Sequence, residues 1–213
     1  VIPPSGPRRA AVHDSTAPGV AGNARLTGLN GMLLCVLLAV EGATILRLRQ
    51  LISVHIYVGV LLVGPVLLKS ASTSYRVVRY YTGARPYREK GPPHPLLRVL
   101  GPLLILTTFA VLGTGVALLT VRPGHAGLLL TAHKASFVLW FAVMTVHVLG
   151  HIRAAATDSW RELHASPTDP AARRRRIRIA LTALALVAGV AAATAIMPAA
   201  APWTKDNVSF RDR

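Results

Sequence analysis

Cysteine is almost absent from this chain of 213 residues: there is one, Cys35. That excludes an intramolecular disulfide, and any zinc ribbon or iron–sulfur cluster built on thiolates, so a cofactor would need other ligands. Acidic residues are scarce as well, 8 against 24 Lys plus Arg, for a formal net charge of +16. So basic a chain raises the question of nucleic acid. The charges fall between apolar runs rather than along one face, which argues for basic loops and against a nucleic-acid partner. No repeat of about 20–50 residues recurs, which excludes a solenoid. There is no nucleotide fingerprint and no nucleophile–base pair, so no independent catalytic site is expected. What is plentiful is apolar surface. Hydrophobic residues make up 52% of the chain and charged residues 15%, with a mean hydropathy of +0.47. That is too apolar for a solvated domain and predicts an integral membrane protein whose first partner is the lipid bilayer.

A helix that crosses a bilayer needs about 20 mainly apolar residues. Five stretches meet that length or come close: Thr27–Leu46, Leu51–Ser72, Val99–Val121, Leu128–Ile152 and Ile179–Ala200. The expected fold is all-α, an integral membrane bundle of about five helices over residues 26–200. Residues 1–25, rich in Pro, Gly, Ala and Arg, are expected to form a disordered tail, and 201–213 a C-terminal one. Basic residues set the orientation. Arg76, Arg79, Arg85, Arg88, Lys90 and Arg98 follow the second span. Arg153, Arg161, Arg173–Arg176 and Arg178 follow the fourth. Both connections are expected on the cytoplasmic side of the cell's inner (plasma) membrane, with the N-terminus inside. The histidine-free fifth span is expected only to pack.

Ionisable groups within the bilayer are costly and usually mark function. Here they are Glu41 in the first span, His55 and Lys69 in the second, and His133, Lys134, His147 and His151 in the fourth. His133 and His147 are 14 residues apart, which on a helix is about four turns less 40° and about 21 Å of rise. They share a face, at different depths. That separation is too long for a catalytic dyad or a shared metal ion, and it suits two stacked haems. The axial ligands of a bis-histidine haem come from opposite faces of a flat ring, hence from different helices at one depth. His55 meets that condition opposite His133. Gly59, Gly64, Gly113 and Gly115 are places where the absent side chain lets a macrocycle or a neighbouring backbone approach closely. Opposite His147 the corresponding position is Lys69, for which three roles stay open: an unusual axial ligand, a partner for a haem propionate, or a side chain snorkelling to the interface. His151 is able to replace His147, bind a propionate, or share a divalent metal with His147. Tyr75, Tyr80, Tyr81, Trp140 and Trp160 are read as interfacial anchors.

The His-x13-His pair, with His-Lys-Ala-Ser-Phe-Val-Leu-Trp at 133–140 and His-Val-Leu-Gly-His at 147–151, resembles the bacterial membrane cytochromes b. That group includes the cytochrome b561-type proteins and the cytochrome b subunits of hydrogenases and formate dehydrogenases. The resemblance covers the first four spans. It implies a four-helix haem-binding core plus a C-terminal helix, with iron of haem b held by His55, His133 and His147, one haem or two. It further implies electron transfer between quinone and a redox partner. The chain departs from the family in the first span, which has Asn30 and Met32 where the remaining histidine would stand. Two other classes compete: a small transporter relaying protons through Glu41, Lys69 and the histidines, and an assembly protein whose basic loops hold anionic lipid.

Overall fold

The computed structural model describes residues 18–89, 95–164 and 172–204. Among them there are seven α-helices and no strand: α1 Pro18–Leu46, α2 Leu48–Leu61, α3 Val63–Tyr81, α4 Arg85–Glu89, α5 Pro95–Leu118, α6 Gly127–His164 and α7 Ala172–Ile196. Short 3₁₀ turns at Pro123–His125 and Met197–Ala200 complete the set. Five stretches are long and apolar enough to cross a bilayer: Gly19–Leu46, Leu48–Tyr81, Val99–Leu118, Gly127–Arg153 and Ala172–Thr204. The protein is a multi-pass membrane helical bundle. Its apolar side chains face outward as readily as inward, with Leu106 at 68% exposure and Leu149 at 75%. In water such exposure would be costly; in lipid it is the solvated surface.

The ends differ from the sequence reading where capping and length decide. The first helix begins at Pro18, inside the stretch read as a tail; proline suits a first helical turn, where its missing N–H has no partner to lose. Residues 1–17, Lys90, the side chain of Arg98 and 205–213 lie outside the described residues. Helices α2 and α3 form a single span, because Leu62 keeps helical dihedrals (φ −57°, ψ −25°) and its backbone bonds continue on both sides. At 38 residues, α6 is about 57 Å long. That is nearly twice the hydrocarbon thickness of about 30 Å, so its last turns project past the span.

Helix α1 is the hub, packed against α2, α3, α6 and α7, while α5 packs on α6 and α2. The α2–α3 span and α6 therefore stand across the bundle from one another, with α1 and α5 between them. The fifth span, α7, closes against α2 and α3 through two glycines. A Cβ on Gly64 would strike the carbonyl of Ala185, and one on Gly189 would strike the carbonyl of Leu61. Pro65 explains why the second carbonyl is available: lacking an N–H, it leaves the Leu61 oxygen without its usual helical donor. Gly189 presents a Cα–H there instead. Gly64 thus admits a neighbouring backbone. Small residues at both positions let two helices meet at backbone distance, where dispersion is strongest.

Candidate functional site

Two polar clusters lie inside the bundle. The first joins α1, α2, α5 and α6. His55, the eighth residue of α2, and His133, the seventh of α6, are close enough for their charges to interact. Each is held by its Nδ1. On His55 that atom lies 2.9 Å from Glu41 Oε1 and 3.0 Å from Thr44 Oγ1. The Thr44 hydroxyl already donates to the Glu41 carbonyl at 2.6 Å, so it accepts from the ring. On His133, Nδ1 lies 3.1 Å from the Val111 carbonyl and 3.1 Å from Thr114 Oγ1. A carbonyl only accepts, so the His133 proton sits on Nδ1. The Thr114 hydroxyl, which donates to the Ala110 carbonyl at 2.7 Å, is an acceptor as well.

The consequence is chemical. In the neutral form that ligation requires, these contacts put the hydrogen of each imidazole on Nδ1, toward α1 and α5, and leave the Nε2 lone pair for another use. Metal-bound histidines are commonly oriented this way, with the second nitrogen donating to a carboxylate or carbonyl. Glycines make the arrangement possible: a Cβ on Gly115 would come within 3.1 Å of His133 Cε1, and one on Gly59 within 3.4 Å of Glu41 Oε1. Gly113, by contrast, faces open space. The other carboxylate oxygen, Glu41 Oε2, is buried with no hydrogen-bond partner among the described residues.

The second cluster lies about four to five turns farther along the same spans. His147 and His151 sit one turn apart with ring centroids 4.7 Å apart. Lys69 on α3 is near enough to act electrostatically on both, and Arg76 acts on His151. The Lys69 ammonium donates to the Thr27 carbonyl at 2.7 Å and fills the space above Gly31, where a Cβ would meet Nζ at 2.9 Å. Asn30 beside it donates to the Pro65 carbonyl at 2.7 Å. Lys69 is therefore tied to α1 within the bundle rather than extended to the interface. Neither His147 nor His151 makes a hydrogen bond among the described residues.

No family model, curated protein or solved structure matches the chain. The geometry therefore stands on its own. Among the described residues no three His, Cys, Asp or Glu side chains gather into a metal-ion site, and the basic groups beside His147 and His151 would repel a divalent cation. Lys134 is exposed. Of the chosen histidines, His147 and His151 have their rings side by side, while His55 and His133 stand on different helices within electrostatic reach of one another.

Several contributors escaped the sequence reading. Glu41 stood out only as an ionisable group; its role beside His55 depends on α1 and α2 meeting at that height. Thr44 and Thr114 carry no signal beyond the Gly-Thr-Gly at 113–115. Trp140, read as an interfacial anchor, is buried at 9% exposure and donates its indole N–H to Thr108 at 3.0 Å. A tryptophan mid-helix packs inward when a hydroxyl on the neighbouring helix accepts its proton. Finally, Glu162 in the projecting turns of α6 is wholly buried and accepts from Arg178 Nε of α7 at 2.6 Å, with Arg25 Nη1 of α1 at 3.8 Å. This ion pair fastens three helices at the arginine-rich end.

Proposed function

We propose that the protein is a haem b-binding membrane electron carrier in which His55 and His133 are the axial ligands of one haem, and that it passes electrons between quinone and a redox partner. One observation carries the reading: two imidazoles on facing spans, each with Nδ1 committed to an acceptor and Nε2 left over. That is the tautomer an iron ligand requires. Bound between them, haem would supply reversible one-electron exchange. The chain's own residues do the rest. Glu41 and Val111 fix the two ring planes and the position of each proton, and Glu41 adds negative charge beside His55. Gly115 and Gly59 keep the flanking helices from crowding the rings. The resemblance to membrane cytochromes b supports the same pair. The run of cationic residues after the second and fourth spans supports an N-terminus on the cytoplasmic side of an inner-membrane protein.

The second cluster supports no second haem of this kind. Lys69 stands where the opposite imidazole would be, and its ammonium is engaged with Thr27 rather than presented as a free amine. The expected stoichiometry is one haem per chain, with His147, His151 and Lys69 as basic neighbours of the site rather than iron ligands. The test is the spectrum of the purified protein. Reduction with dithionite should give sharp haem b bands, and the oxidised form a low-spin signal of two imidazoles. A protein that stays colourless when expressed with ample haem would end the proposal.

A further inference from the structure

A cavity of about 260 Å³ opens between the first turns of α1 and α7, with no histidine in its lining. Gly19, Gly22 and Leu26 form one wall and Arg174, Ile177 and Arg178 the other. The last three share a face of α7 at one-turn spacing. We infer that this cavity holds one anionic glycerophospholipid, its phosphate at Arg174 and the start of an acyl chain along Leu26 and Ile177.

Two features select this occupant. Between the arginines the lining is mostly apolar: two glycines and two aliphatic side chains stand beside Asn23, whose amide is engaged with the Ser72 carbonyl at 3.1 Å, and Ile177 is 49% exposed. A free phosphate would gain nothing from such a surface, whereas a hydrocarbon chain would. The charge is equally one-sided. Glu162, whose side chain is described at this end, is already opposed by Arg178 and Arg25. Arg174 adds a further cation to the wall, with Arg173 and Arg176 exposed beside it. An apolar slot with a guanidinium at its rim, beside the first turns of two spans, matches an anionic lipid in both its parts.

Native mass spectrometry of the full chain, released from vesicles of equal phosphatidylglycerol and phosphatidylcholine, tests the assignment. One phosphatidylglycerol should stay bound, favoured over phosphatidylcholine about fivefold, the effect of one arginine at an anionic surface. Arg174→Gln should remove that preference. Gly22→Leu, which leaves the charge unchanged and fills the slot, should lose the lipid. A Cβ at Gly22 meets Arg178 Nη1 at an ordinary 3.6 Å, and one at Gly19 meets nothing within 4 Å. Gly19→Leu therefore serves as a second filling variant should the first fold poorly. Arg173→Gln, exposed and outside the cavity wall, should retain both lipid and preference. The inference is overturned if Arg173→Gln and Arg174→Gln act alike while the filling variants change nothing. That pattern would mean a diffuse basic surface and no site. Equal retention of both lipids by the parent chain would also overturn it.

Discussion

The two histidine clusters occupy the same pair of spans with the same spacing, yet they are built differently. His55 and Lys69 are 14 residues apart on α2–α3, and His133 and His147 are 14 apart on α6. At one end both positions are imidazoles, each tethered through Nδ1 by a neighbouring helix. At the other, an ammonium faces two imidazoles that no described hydrogen bond orients. The lesson is that spacing places a side chain at a depth and on a face, whereas the residue type and the acceptor behind it together decide what it is ready to bind. Glu41 and Val111 make one cluster a candidate ligand pair; their equivalents are missing from the other.

The comparison is sharpest when one end is turned into the other. Lys69→His should supply the missing imidazole opposite His147 and raise the haem-to-protein ratio from one toward two, read by pyridine haemochrome. A ratio that stays at one would mean that tethering, not residue type alone, limits the second cluster. Next in size is the fastening at the arginine-rich end. Arg178→Met strips the wholly buried Glu162 of its closest partner, and stranding a buried charge costs about 3–5 kcal/mol. Thermal unfolding should move down accordingly, while haem bound to the folded fraction stays at one per chain.

Glu41→Gln keeps the shape but removes the carboxylate from His55. Loss of such a supporting group weakens metal-centre affinity by about 10–100-fold. It should also raise the midpoint potential, because a negative charge near the iron favours the oxidised state; a potentiometric titration reads this directly. Thr114→Val should have the smallest effect, since His133 keeps Val111 as acceptor. One hydrogen bond of this type is worth about 0.5–1.5 kcal/mol, visible as a modest drop in haem retention during denaturant titration.

How far the sequence carries a reader depends on whether a feature is local. Span positions follow from apolar run length, so all five appear at close to their expected places, and His55 and His133 stand eight and seven residues into α2 and α6. What neighbouring helices add was illegible. The Glu41–His55 bond needs the crossing of α1 and α2, and Trp140 turned inward only because Thr108 on α5 accepts from it. The Glu162–Arg178 pair lies beyond the hydrophobic stretch, where no periodicity flags a buried carboxylate. The close seat of α7 depended on a glycine in each helix and on Pro65 freeing one carbonyl, a coincidence across 124 residues between Pro65 and Gly189.

The central claim is that one haem is gripped by the tethered pair and not by the untethered one. Measuring the haem-to-protein ratio side by side in the parent chain, His55→Ala, His133→Ala and His147→Ala tests it most directly. The account predicts one haem in the parent, almost none in the His55 and His133 variants, and one again in the His147 variant. Undiminished haem without His55 or His133, or its loss on removing His147 alone, would contradict it.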